Sequence, residues 1–234
     1  MPIFNMVYKS GWWWGGGWTP WANTLVYYNI NDNDTTSTIY DLSWNSIDQT
    51  WSGTASYTTD ANYGRVASFS GSNYTAAGSR VNFGNEVTFI ALVKFGSSGG
   101  EAVVTQCQSS SARPMWIFNW QWDNVCVASF AGSGNQYWVK ATYKISAWSW
   151  TMIAWTRASD GTCKIYINWA LNNTATAGWN PKYTAWSNLR IWDWGDNSST
   201  NRLKWQFKLF IWENRTRTGA EIAAIAQEYW FTVS

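Results

Sequence analysis

The feature that most constrains this chain is its punctuation. From Thr24 onward, short apolar or alternating runs are separated by clusters of Gly, Asn, Asp and Ser. Runs of that length are too short for core helices, and alternation with period two places one face of a strand against a core. The pattern therefore predicts an antiparallel all-β architecture. The runs fall at 24–30, 65–70, 86–95, 101–107, 115–120, 124–130, 136–141, 149–157, 162–168, 188–193 and 203–212, enough strands for two packed sheets. One segment departs from the pattern. In TRTGAEIAAIAQEYW, residues 216–230, Thr218 stands three residues before Glu221, the spacing of a capping box, and an Ala- and Ile-rich stretch follows. That spelling predicts one short helix after the last strand.

All-β sandwiches often reach 234 residues as a single unit. The expected organisation is a flexible lead-in over 1–23, which contains the aperiodic stretch GWWWGGGWTPW, followed by one sandwich domain over 24–234. Lys and Arg number 16 against 14 Asp and Glu, and they are scattered from Lys9 to Arg217, so no basic stripe for nucleic acid is present. No apolar stretch approaches the length of a membrane span, and no membrane insertion is expected. The opening MPIFNMVYKSG lacks a basic start and an apolar segment, so it is not a recognisable signal peptide. Cys107, Cys126 and Cys163 lie in strand-like runs without zinc or redox spacing and read as small buried residues; a bridge between Cys107 and Cys126 stays open.

Four segments in order resemble the laminin-G-like, or concanavalin A-like, domains of bacterial surface and phage proteins. Residues 24–30 with Asp41, Leu42, Ser43 and Asn45 resemble the family's opening strand and the loop after it. VASFSGSNY, residues 66–74, is similar to its second signature strand. WTMIAWTRASDGTCKIYINWAL, residues 150–171, is similar to "WxHVAxTxDGxxxKIYINGxL", and 189–227 resembles the last strand and helix, with Asn214, Arg215 and Thr218 on matching positions. The resemblance implies an antiparallel two-sheet jelly-roll β-sandwich with one short C-terminal helix. It also implies recognition of a glycan or a surface protein through rim loops, and calcium as a cofactor to consider. An extracellular, cell-surface or virion location would follow. The chain departs from the family in having no His at all.

Chemistry narrows the function further. A glycosidase needs two carboxylates across a cleft, and the strand acids Glu86, Glu101, Asp123 and Glu213 are isolated. Without His, Ser-His-Asp and Cys-His mechanisms and the usual zinc sites are excluded. The chain is therefore expected not to be an enzyme. The candidate calcium ligands are Asp193, Asp196 and Asn197 in WDWGDNSS, with Asp32 and Asp34 in NDND as a second acidic turn, although such turns are commonly solvated. A sugar site pairs an aromatic platform with amide or carboxylate groups, which points to Trp122, Asp123 and Asn124 at a hairpin tip, together with Tyr137 and Trp138 on the next strand. The expected function is a non-catalytic carbohydrate-binding or adhesion module. The alternative is a structural virion or surface component that assembles as a homo-oligomer without glycan activity.

The 22 Trp do not sit where Trp is physically comfortable. Trp12, Trp13 and Trp14 interrupt a glycine run, Trp44 stands where the resembled loop has Gly, and Trp169 occupies a hairpin position where both central residues need positive φ. Trp51, Trp179, Trp192, Trp205 and Trp230 raise the same question from motif position, whereas Trp150 and Trp212 match aromatic positions. A codon read as Gly in the source organism but as Trp here would explain the pattern; genuine Trp on an aromatic surface is the alternative.

Overall fold

The structure is a computed structural model that describes residues 22–70, 74–79, 81, 84–96, 101–106, 115–119, 126–132, 135–142, 145–176, 188–191 and 206–230. The candidate ligand residues Trp122, Asp123, Asn124, Asp193, Asp196 and Asn197, like residues 1–21 of the expected lead-in, fall outside these residues. The strands are β1 (Thr24–Asn29), β2 (Thr38–Ile39), β3 (Gln49–Ser52), β4 (Tyr57–Asp60), β5 (Gly64–Ser68), β6 (Tyr74–Ala77), β7 (Val87–Lys94) and β8 (Glu101–Gln106). They continue with β9 (Met115–Asn119), β10 (Cys126–Gly132), β11 (Asn135–Lys140), β12 (Trp150–Arg157), β13 (Thr162–Ile167), β14 (Ala170–Thr176), β15 (Arg190–Ile191) and β16 (Gln206–Glu213), before helix α1 (Gly219–Trp230).

These strands form two antiparallel sheets. The first runs β14-β13-β12-β7-β16-β5-β4, with β1 also paired to β16; the second runs β11-β10-β9-β8-β15-β6-β3-β2. The expected sandwich with one C-terminal helix is the fold observed. Each predicted run overlaps a strand among the described residues, the run 188–193 only over Arg190–Ile191. Five strands went unanticipated: β2, β3, β4, β6 and β14, whose sequences TI, QTWS, YTTD, YTAA and ALNNTAT are polar or small.

Two apolar layers explain which strands read as continuous rather than alternating. In β7 every residue from Val87 to Val93 is buried. Val87, Phe89, Ala91 and Val93 face the opposite sheet, while Ile90 and Leu92 join a second cluster with Ile222, Ile225 and Ala226 of α1. The helix thus roofs the outer face of the first sheet, and the strands beneath it lose their polar side. Between the sheets, Phe89 stacks on Trp155 at 5.7 Å and meets Trp212 edge-on at 4.7 Å, and Tyr28 stacks on Phe210 at 6.2 Å. Burying an aromatic of this size contributes about 2–3 kcal/mol. Cys163 is buried in the same layer, as its strand position suggested, and its thiol donates to the Gly161 carbonyl at 3.5 Å.

The loop after β1 is built around one carboxylate. Asp41 accepts from the Tyr27 and Ser43 amides at 2.9 Å each through one oxygen, and from the Ser43 hydroxyl at 2.7 Å and the Ile47 amide at 2.9 Å through the other. Asn45 donates its side-chain amide to the Thr24 and Leu25 carbonyls, both at 3.0 Å. The segment that resembled a family loop is therefore a turn closed by its own Asx and Ser side chains.

Candidate functional site

The site begins with a hairpin. Between β12 and β13, Gly161 donates to Ala158 O at 3.0 Å and Ala158 donates to Thr162 O at 2.9 Å, while Gly161 takes φ +86°. This is a type I turn followed by a left-handed residue, a position that only Gly fills without strain. The Asp160 carboxylate accepts the Thr162 amide at 2.8 Å. Hydrogen bonds from Thr162 hold that exposed carboxyl below its ordinary range. Beyond the turn, Cys163, Ile165 and Ile167 point into the sandwich, so alternation places Thr162, Lys164 and Tyr166 on the outer face.

The segment entering α1 crosses this hairpin and completes a cleft. Thr216 donates its hydroxyl to Arg157 O at 2.6 Å, Thr88 donates to Arg215 O at 2.7 Å, and the Arg217 amide donates to the Thr88 hydroxyl at 2.9 Å. Gly219 lets the first helical turn lie on Tyr166, because a Cβ there would come within 3.3 Å of the ring. Between these parts lies a cleft of about 400 Å³, lined among others by Thr156, Asp160, Thr162, Lys164, Tyr166 and Arg217. It offers the Thr162 hydroxyl, one ammonium and one carboxylate, while Tyr166 is largely buried, and its size suits a small ligand.

A buried ionic cluster fixes one wall. The Arg217 guanidinium grips Glu213 with two nitrogens, one of them at 2.6 Å and the other through Nε. Arg215 reaches Glu221 at 2.7 Å and Glu213 at 3.7 Å. Glu221 also closes the anticipated capping box: its carboxylate accepts the Thr218 amide at 2.8 Å, and its own amide donates to the Thr218 hydroxyl at 3.3 Å. Partial burial pulls the Glu221 carboxyl up, but Thr218 and Arg215 outweigh it and hold the group low.

At the far end of the same outer face, Trp150 Nε1 donates to Asp60 at 2.9 Å, Lys94 lies 3.6 Å from that carboxylate and 5.9 Å from the Trp150 ring centre, and Tyr63 packs on the indole at 4.8 Å. With Lys94 and Tyr63 against it, this Trp serves packing rather than an open platform. Nearby, Lys208 is the extra residue of a β-bulge, since Phe207 pairs with Val93 and Leu209 with Leu92. Its ammonium donates to Arg65 O at 3.2 Å, and burial pulls its pKa down to about 8.

Among the described residues, the sequence-predicted Asp32, Asp34, Tyr137 and Trp138 do not line this cleft. Tyr137 and Trp138 lie on edge strand β11, paired with Phe130 and Ser129. Trp122, Asp123 and Asn124 lie outside the described residues. Asp32 accepts the Asn29 side-chain amide at 2.7 Å, and among the described residues no group of three or more His, Cys, Asp or Glu could hold a metal. The cleft residues were missed by sequence reasoning. The legible signals were the Asp-Gly turn, the alternation of Thr162, Lys164 and Tyr166, and the capping box.

No family model and no curated protein matches the chain. Solved structures of the same fold do. Domain 4 of AbnA, an extracellular GH43 arabinanase from Geobacillus stearothermophilus, solved with arabinotriose, superposes with a TM-score of 0.71 at 18% identity over 88% of this chain and 98% of that one. The binding domain of botulinum neurotoxin DC in complex with SialylT gives 0.68 at 11% identity over 90% of this chain, which spans 52% of the toxin domain. The same toxin domain with rat synaptotagmin II gives the same values. At these identities the likeness shows a shared β-sandwich fold.

Proposed function

We propose that this chain is a non-catalytic carbohydrate-binding module of the laminin-G-like kind whose ligand sits in the cleft between the β12–β13 hairpin and the start of α1. The observation that carries the reading is the cleft itself: about 400 Å³ lined by Thr162, Lys164 and Asp160, with Tyr166 largely buried at its margin. Sugars are oriented by directional hydrogen bonds of this kind in a concave site. Two of the proteins that share the fold were solved with arabinotriose and SialylT, which supports a saccharide over other small ligands. Asp160 is the one carboxylate lining the cleft among the described residues, short of the pair that glycoside hydrolysis requires.

The test is a glycan array probed with the purified chain in millimolar calcium and again in chelator, repeated with Lys164→Ala. Saturable binding that Lys164→Ala weakens at least tenfold supports the cleft. Binding that Lys164→Ala leaves intact moves the site to the Trp122 hairpin, and binding that chelator abolishes assigns a calcium role to the loop of Asp193, Asp196 and Asn197. Silence from folded protein overturns the saccharide reading and favours the assembly component.

A further inference from the structure

The tryptophans of the described residues fall into two populations that differ in backbone and in burial. Trp51, Trp155 and Trp212 are buried in strands, and Trp51 stacks on Phe69 at 4.4 Å and donates its indole N–H to Tyr57 at 3.1 Å. The motif-based doubt about Trp51 therefore gains no support from its surroundings. Trp148 and Trp169 are the opposite case. They take φ +67° and +63°, the left-handed region, and are 59% and 39% exposed. Besides them, only Ser46 and Asn168 among the described non-glycine residues have positive φ. Asn visits that region readily because its side chain bonds locally, whereas a bulky side chain there is a genuine outlier.

The turn around Trp169 has no freedom to relax. Ile167 pairs with Ala170, so Asn168 at φ +48° and Trp169 form a two-residue connection with both residues left-handed, the type I′ geometry that Asn-Gly fills. Asn168 is tied to β12 twice, its amide donating to Met152 O at 2.9 Å and its side-chain oxygen accepting the Met152 amide at 3.0 Å. The Trp148 amide donates to Phe95 O at 2.8 Å, which pins the second turn to β7. Both turns are thus dictated by neighbouring strands while the residue in them is one the backbone disfavours.

We infer that positions 148 and 169 are glycine in the protein as its natural source makes it, a codon read here as Trp being read there as Gly. UGA, a stop codon that different lineages reassign, fits a code in which ordinary Trp codons persist beside it. Trp150 and Trp169 would then carry different codons despite the same letter. Trp44, 75% exposed in the Asp41 loop, shares the exposure but not the positive φ, and stays outside the glycine set of 148 and 169.

Peptide mapping of the protein from its natural source tests this. Trypsin releases 165–182, which contains position 169, and 145–157, which contains positions 148 and 150. The expected masses place Gly at 148 and 169 and Trp at 150; Trp at 169 overturns the inference. A second measurement needs only recombinant chain. W148G and W169G should each raise the Tm by about 2–8 °C, the relief of one left-handed bulky residue in a domain of this size, while W155A should lower it. A fall in Tm for W169G would also overturn the inference.

Discussion

Replacing Glu213 by Gln removes the charge on which the wall of the cleft depends. Glu213 is wholly buried, and the side chain of Arg217 that grips it is nearly so. Gln preserves shape and one acceptor but leaves two guanidiniums to share Glu221, which lies 2.7 Å from Arg215 and 3.7 Å from Arg217. Stranding a buried charge by removing its partner costs about 3–5 kcal/mol. Glu221 compensates part of that loss, so the lower end of the range applies. In a domain of this size each kcal/mol moves the Tm by about 2–4 °C, and E213Q should melt about 6–12 °C below the parent chain at neutral pH. Thermal unfolding followed by circular dichroism measures this, with urea unfolding to verify an unchanged m-value. The double variant E213Q/R217M removes the stranded cation and should recover at least half of the loss. A Tm for E213Q within about 2 °C of the parent, or a double variant that is worse than the sum of its single changes, would refute the assignment of this pair as a desolvated, mutually dependent unit.

Three further outcomes are expected. Thr218→Ala removes the hydroxyl half of the capping box and should cost about 1 kcal/mol, read as a small fall in urea midpoint with α1 still formed. Lys208, near Asp32, Asp60 and Arg65, has a pKa lowered by burial to about 8 from 10.5. Below about 8 both folded and unfolded chains carry its proton and the burial penalty is full; from there towards 10.5 the folded chain sheds the proton first, so stability rises with pH through that window. K208M should abolish that rise, and an unchanged slope by urea titration across it would count against a desolvated lysine. Ile222→Ala opens the layer between α1 and β7, where Ile222 is fully buried, and should destabilise the chain by about 2–5 kcal/mol, measured by urea unfolding.

Fold was legible where the sequence is locally self-consistent. The β7 run VTFIALVK had to be buried on both faces, and the capping box was readable because its partners are three residues apart. Strands such as β6 and β14 were hidden because Thr, Ala and Asn become strand only when a neighbour supplies the ladder, as β3 does for β6. The cleft was hidden for the same reason on a larger scale: nothing in residues 156–166 reveals that 216–219 will cross them. Aromatic-rich loops stand out in a sequence with 22 Trp, whereas the described polar cleft carries a single aromatic, Tyr166.

The pairing of β1 with β16, from Thr24 opposite Glu213 through a bulge before Val26 to Asn29 opposite Leu209, has a consequence for biogenesis. Strand β16 also separates β1 and β5 from β7, so the first sheet is two unconnected halves until β16 is inserted. A ribosome must release nearly all of the described chain before that happens. The nascent chain therefore leaves the β16-facing edge of β7 unpaired until residues 206–213 have been made, and completion of the sheet follows translation of its central strand. Such long-range closure is slow, and it lengthens the interval in which uncovered apolar surface can misassociate.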